Sequence, residues 1–216
     1  MILFRRFGLL IALTSMSCGQ IKSIDVVSNR PAVAHRSSSG NESTPSDESL
    51  FGEAVLDGGR VDPFAKPETK AVVLIFVSTD CPIANRYAPV LGRLYEAYQP
   101  RNVSFWLVYA DATETPEKIR QHVEEYQHQI PALRDMDHRL AKFCEARRTP
   151  EAVVFSAGRN RQYRGRIDDR FTGYGKSREF ASRHDLQEAI EAVLAGKAVP
   201  TPVTEAIGCL IPGVEE

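Results

Sequence analysis

Several things are scarce in this chain, and each scarcity removes a class of function. Charge of one sign is missing. Lys and Arg number 27 against 28 Asp and Glu, for a formal net charge of −1, so there is no electrostatic case for nucleic acid. The five histidines are scattered without the spacing that metal ligands need. Cysteine is sparse as well: Cys18, Cys81, Cys144 and Cys209 lie too far apart for a zinc site or a disulfide-dense mini-domain. What is present is a 43 % share of hydrophobic residues in 216, enough to bury a core. That length suits one domain with appendages, or at most two small ones.

The N-terminus is more specific. Arg5 and Arg6 precede an apolar run, Phe7 to Leu13, that is too short to span a bilayer. Ser15-Met16-Ser17 then supplies small residues where a signal peptidase reads, and Cys18 follows at once. A cysteine directly after such a segment resembles the lipobox of bacterial lipoproteins, although Ser15 stands where leucine is usual. The expectation is an exported chain, periplasmic or extracytoplasmic, with residues 1–18 as signal peptide and lipidation at Cys18. A lipid there holds a protein on a membrane without spanning it. Cleavage that leaves Cys18 free is the alternative. Residues 19–50, with Ser37-Ser38-Ser39-Gly40-Asn41 and Ser43-Thr44-Pro45-Ser46, are polar and of low complexity, and read as a disordered tether.

The informative stretch is Val72 to Pro89. Val72-Val73-Leu74-Ile75-Phe76-Val77 suits a strand buried on both faces. Ser78-Thr79-Asp80 ends it, and Cys81-Pro82 opens a helical pattern, because proline is favoured at a first helical position. Cys81 is thereby placed at or beside the N-cap, where unpaired amides favour an ionised, reactive thiol. A redox-active cysteine is the chemical reading; an inert buried cysteine is the structural one.

A sheet with helices on its faces follows from the order of elements. Ala54 to Leu56 and Arg60-Val61, around Asp57-Gly58-Gly59, predict an N-terminal hairpin. A helix is predicted from Pro82 to about Tyr98, kinked at Pro89. Val103 to Ala110 predicts a strand, and Thr115-Pro116-Glu117 a helix start with Ile119, Val123 and Tyr126 inward. A short strand at Ile130 to Leu133 and an Asp137-capped helix presenting Leu140, Phe143 and Cys144 come next. Glu151 to Phe155 and Gln162 to Ile167 predict a hairpin. Ser182 and Asp185 suggest a capping box for a last helix that stops at Gly196. The domain therefore runs from 51 to 196, and 197–216, with Pro200, Pro202 and Pro212, forms an extended C-terminal tail.

With Cys81 at the first strand–helix junction, Ala88-Pro89 after it and Thr149-Pro150 before the hairpin, the chain resembles the thioredoxin-like superfamily. More narrowly, Cys-Pro-Ile-Ala-Asn-Arg-Tyr-Ala-Pro, Tyr-Arg-Gly-Arg-Ile-Asp-Asp and Gly208-Cys209 are similar to redoxin-domain, peroxiredoxin-like (AhpC/TSA-related) proteins. The resemblance implies an α/β thioredoxin-like fold, a central mixed sheet flanked by helices. It also implies a cis Thr149-Pro150 facing Cys81 as a substrate-binding element. Ala84 stands where dithiol relatives have a second cysteine, and Asn85 where copper-delivering ones do, so local dithiol exchange and soft-metal binding are set aside. Ser78 keeps the hydroxyl three residues before the peroxidatic cysteine, while Leu74 replaces the usual proline, and Arg148 is the candidate for the arginine that holds peroxide.

The resemblance thus implies an exported, peroxiredoxin-like thiol oxidoreductase with antioxidant activity. Cys81 attacks a peroxide or a disulfide, and Ser78 and Arg148 polarise the substrate. Asp80 opposes ionisation of Cys81, since a neighbouring carboxylate raises a thiol pKa. A sulfenic acid at Cys81 needs a second thiol. Cys144 and Cys209 are the candidates, and Cys209, in a tail able to fold back, is assigned. No organic cofactor or metal is implied, and the electrons come from another thiol protein. Single-cysteine exchange with exported proteins is one alternative; a non-catalytic module displaying the Thr149-Pro150 groove to peptides is another. The alternating Arg164 and Arg166 suit a solvated edge strand better than an anion site.

Overall fold

The computed structural model describes residues 52–54 and 58–214, so the readings made on residues 1–50 lie outside it. The sheet is built around β3 (Ala71–Val77), whose seven residues are all buried. β-Branched and large apolar side chains alternate to both faces of such a strand, so both faces must be covered. β3 pairs in parallel with β4 (Val103–Tyr109) and antiparallel with β7 (Glu151–Ser156), with Ile75 opposite Leu107 and Ala152. Outward on one side lie β5 (Ala132–Arg134), β1 (Gly52–Ala54) and β2 (Arg60–Val61); on the other lies β8 (Arg161–Gly165). The result is a mixed seven-stranded sheet in the order β2-β1-β5-β4-β3-β7-β8, flanked by helices: the thioredoxin-like fold expected.

Two apolar layers result. Val73, Ile75 and Val77 face a core shared with Cys81, Leu91, Ile119, Leu186 and Ile190. Val72, Leu74 and Phe76 face the other, with Leu133, Leu140, Cys144 and Phe155. Cys81 and Cys144 are therefore separated by the sheet.

The helix predicted from Pro82 to Tyr98 is two: α1 (Pro82–Arg86) and α2 (Ala88–Tyr98), broken at Tyr87. Pro89, lacking an N–H, cannot continue the ladder. α3 (Pro116–Glu125) starts where expected, with the Thr115 hydroxyl accepting from Lys118 N at 3.3 Å. Its inward residues are Ile119 and, unexpectedly, His122. α4 (Arg139–Cys144) is capped by Asp135 instead of Asp137: the Asp135 carboxylate accepts from Leu140 N at 3.1 Å and Ala141 N at 2.8 Å. Asp135 is buried, so it binds these amides away from competing water. α5 (Asp185–Leu194) lacks the Ser182 cap, because the Ser182 hydroxyl donates to Asp169 at 2.6 Å instead.

Among the described residues, four strands outside the main sheet escape the periodicity argument because they are so short. β6 (Arg148–Thr149) precedes the cis peptide bond Thr149–Pro150. β9 (Phe171–Gly173) and β10 (Lys176–Ser177) form a small hairpin. The tail is extended, as predicted. Val203 bridges to Arg164 in parallel, Thr204 N donates to Arg164 O at 3.0 Å, and the open edge of β8 is covered. The tail then ends in β11 (Cys209–Leu210), antiparallel to β6.

Candidate active site

Cys81 is the N-cap of α1, with extended backbone (φ −86°, ψ 106°) and Pro82 at N1. Its side chain is 1 % exposed. The thiol donates to the Thr149 carbonyl at 2.9 Å, which joins the first strand–helix junction to the cis-proline loop across the site. Thr149 in turn is the register partner of Cys209. The Cys209 side chain packs on the same core layer as Cys81, near enough for each thiol to bear on the other's ionisation. The structure thus brings together Cys81, Thr149, Pro150 and Cys209, four of the residues singled out from the sequence. Cys144 it does not: that thiol is fully buried beyond the sheet, and burial first, then the Asp135 carboxylate, pushes its pKa up.

The electrostatics of the pair run in opposite directions. Burial disfavours ionisation of Cys81, but the Ala84 N–H, the Thr149 hydroxyl and Cys209 favour it more, and its pKa is lowered. No amide closes a full hydrogen bond on the thiol. The Thr149 hydroxyl is likewise buried without a partner. A buried hydroxyl left unsatisfied is costly, and a thiolate at Cys81 gives it an acceptor. Burial, together with the neighbouring Cys81 sulfur, pushes Cys209 up to about 11. Of the two thiols, Cys81 is the one whose ionisation its surroundings favour.

The macrodipole argument weakens, because α1 has only five residues; the Ala84 N–H and two groups outside the helix, Thr149 and Cys209, take its place. Asp80 also matters less than the sequence suggested. It is ion-paired to Lys118 at 2.6 Å, which holds its carboxyl below the ordinary range. Thr149→Val keeps the shape and removes the hydroxyl. Its expected result is a higher Cys81 pKa and slower alkylation at neutral pH, read from thiolate absorbance against pH; an unchanged titration would remove Thr149 from this role.

Ser78 and Arg148 have other partners here. The Ser78 hydroxyl donates to Glu114 Oε1 at 3.1 Å, and Thr79 adds its N–H at 2.6 Å and hydroxyl at 2.7 Å to the same oxygen. Arg148 Nη1 donates to the Gly208 carbonyl and the Tyr174 hydroxyl, each at 3.4 Å. Tyr174, in the β9–β10 turn, also donates to the Gly208 carbonyl. Arg148 thus grips the tail one residue before Cys209. Arg164 and Arg166 are engaged by Glu145, Glu151 and Asp185, and with the tail laid along β8 they do not form the solvated edge expected.

Sequence reasoning missed the polar network behind the Cys81 loop. Glu114 is 1 % exposed and anchors Ser78 and Thr79. Asn85 donates to Thr79 O and to the Tyr126 hydroxyl, each at 3.1 Å, and meets His122 Nε2 at 2.9 Å through Oδ1. His122 Nδ1 meets the Tyr109 hydroxyl, also at 2.9 Å. Since both Asn85 N–H groups are used on oxygens, Oδ1 accepts and His122 carries its proton on Nε2. The available signal was Asn85 itself, a polar residue one helical turn after Cys81. It also missed the Asp168–Asp169 pair. Tyr87 donates to Asp168 at 2.5 Å, and Asp169 accepts from Ser182 N at 2.7 Å and Arg183 N at 2.9 Å, fixing the base of the β9–β10 hairpin.

Comparison with known proteins agrees with this geometry. No curated protein matches the chain. An uncharacterized conserved protein from Geobacillus kaustophilus is 26 % identical at a TM-score of 0.65, covering 74 % of this chain and 86 % of its own. A hypothetical protein from Sinorhizobium meliloti is 27 % identical, also at a TM-score of 0.65, covering 75 % and 89 %. A thioredoxin-like protein from Aeropyrum pernix is 18 % identical at 0.49, covering 68 % and 89 %. The AhpC/TSA family model matches residues 54–165, just over half of the sequence. With Cys81 and the cis-proline bond both in place, this thioredoxin-like chain belongs to the AhpC/TSA family.

Proposed function

We propose that the protein is a two-cysteine thiol oxidoreductase, peroxiredoxin-like, in which Cys81 and Cys209 cycle between dithiol and disulfide. One observation carries this reading: the Cys209 side chain lies on Cys81, delivered by a strand pairing with the cis-proline loop. Cys81 is the attacking sulfur, since it is the one whose thiolate is favoured. Burial of Cys81 to 1 % exposure favours a small oxidant, such as a peroxide, over a bulky protein disulfide.

With a peroxide, the Cys81 thiolate attacks one oxygen, the O–O bond breaks, and the other oxygen leaves as an alcohol or water after taking a proton. Cys81 is left as sulfenic acid. Cys209 attacks that sulfur, forming the Cys81–Cys209 disulfide and releasing water. Arg148 holds Gly208, and with it Cys209, in reach. Ser78 fixes the Cys81 loop through Glu114. Two electrons from a thiol reductant restore the pair. Placement outside the cytoplasm, on a lipid at Cys18, belongs to the same proposal and is supported by residues 5–18 of the sequence.

The test is stoichiometric peroxide on the purified protein, followed by mapping of every cysteine. The expected product is one Cys81–Cys209 disulfide per chain, with Cys144 still a free thiol. Cys209→Ser should instead accumulate sulfenic acid at Cys81. If Cys81→Ser consumes peroxide as fast as the parent, the mechanism is wrong. Peroxide left untouched, with Cys81 titrating near the free value of about 8.5, would favour a non-catalytic binding module.

A further inference from the structure

Four polar side chains at intervals of four residues, Glu114, Lys118, His122 and Tyr126, run along one face of α3 and its two ends. Residues so spaced lie one above another on a helix. Each of the four bonds the segment from Ser78 to Asn85, which carries Cys81. Glu114 Oε1 accepts from the Ser78 hydroxyl, the Thr79 N–H and the Thr79 hydroxyl. Lys118 pairs with Asp80 at 2.6 Å. His122 and Tyr126 hold the Asn85 amide, which in turn donates to the Thr79 carbonyl. Thr79, two residues before Cys81, therefore has its N–H, hydroxyl and carbonyl all engaged from this side.

The same segment is a tight turn, since Cys81 N donates to the Ser78 carbonyl at 3.3 Å. The groups that favour the Cys81 thiolate, the Ala84 N–H and the Thr149 hydroxyl among them, act at hydrogen-bond range. A displacement of about 1 Å forfeits most of such an interaction. The orientation of the turn thus decides whether the sulfur meets them. Glu114 holds that turn most firmly, with three donors on one oxygen. Its other oxygen, Oε2, is buried with no partner among the described residues, a cost to stability that a purely structural anchor would not need. Glu114 is also not among the groups that chiefly move the Cys81 pKa, which leaves its influence as one of place.

We propose that Glu114 is a positioning residue for Cys81, acting through Ser78 and Thr79 to set the sulfur against the Thr149 loop. Lys118, His122 and Tyr126 hold the same segment from the same face. The effect comes from the acceptor that Glu114 offers and not from its charge. The proposal rests on Cys81 as the reactive thiol and not on the choice of oxidant, so a protein inert to peroxide would leave it standing.

The experiment is the pH dependence of iodoacetamide alkylation on the reduced full chain, read at the Cys81 peptide by mass spectrometry, with no peroxide present. The midpoint reports ionisation of Cys81, whatever a change in access does to the plateau rate. Glu114→Gln keeps an acceptor oxygen in place and puts its amide nitrogen where Oε2 already lacks a partner. Its midpoint should lie within about 0.3 pH units of the parent, roughly a twofold change in thiolate. Glu114→Ala leaves three donors without their acceptor, and its midpoint should rise by about one unit or more, roughly tenfold less thiolate at neutral pH. Thr79→Val removes one of the three donors at a part-exposed position and should raise the midpoint by roughly half a unit, about threefold in thiolate. That variant decides the matter should Glu114→Ala not fold. A shift in Glu114→Gln as large as in Glu114→Ala would assign the effect to charge and overturn the proposal. An unmoved midpoint in Glu114→Ala, or in Thr79→Val, would overturn it too, because the turn would then not be held from Glu114.

Discussion

Alanine at Gly208 is expected to uncouple the two cysteines while leaving the sheet intact. A Cβ there would sit 2.0 Å from the Thr149 carbonyl oxygen, 2.6 Å from its carbon and 3.0 Å from Pro150 N. All three are backbone atoms of the loop that also receives the Cys81 thiol, so none can swing aside. β11 must therefore lift away, taking Cys209 with it. Overpacking of this kind costs about 1–3 kcal/mol. That exceeds what two strand residues can recover, so the tail should detach before the core responds. Under stoichiometric peroxide, disulfide formation should fall by about tenfold or more, an order of magnitude for each 1.4 kcal/mol, and sulfenic acid should become trappable on Cys81. Gly92→Ala is the control: it lies in α2 with nothing near its added carbon, and alanine there should be neutral or stabilising. Normal disulfide yield in the Gly208→Ala protein would mean that the close approach of tail and loop is not what aligns the sulfurs.

Acidification is expected to act through His122. Burial, with a smaller push from His128, lowers its pKa from 6.5 to about 4, while Asp80 opposes and Lys118 reinforces the shift. The folded state therefore prefers the neutral ring, and the unfolded chain binds the proton first. The stability so provided is complete above pH 6.5 and is lost as pH falls towards 4, a span worth about 3 kcal/mol. His128, also lowered by burial, adds in the same direction. Urea unfolding across that range should show a steep loss in the parent protein and a shallower one in His122→Gln, which cannot titrate. Parallel curves would show that the buried ring is not the acid-sensitive element. The added proton goes to Nδ1, so acidification ends the donation from the Tyr109 hydroxyl while the Nε2–H bond to Asn85 stays in place.

The strand–Cys–Pro–helix geometry was legible because each part of it is local. An apolar run, a polar break and a proline at N1 say where Cys81 lies without any knowledge of the rest of the chain. The Thr115 cap and the end of α5 near Gly196 (φ +65°) were legible for the same reason. Partnerships made at long range were not. Asp135 could take the cap from Asp137 only because folding buries it beside α4. Ser182 lost its cap role to an aspartate thirteen residues earlier. Glu114 and His122 look like ordinary helix-approach and helix-surface residues in a sequence, and only the fold places them behind the loop. The partners of Ser78 and Arg148, Glu114 and Gly208, could not be read from spacing.

The tail has one more consequence, and it concerns time. A ribosome makes Cys81 and Cys144 long before it makes Cys209, so the proposed second half of the site arrives last. Until β11 is synthesised, the groove at Thr149 has no lid and Cys81 has no in-chain partner of its own layer. The sheet closing between Cys81 and Cys144 keeps those two earlier thiols apart during that interval. Synthesis of β11 would thus be the step that brings the proposed second thiol to Cys81, and a chain cut before Gly208 is expected to leave Cys81 without it.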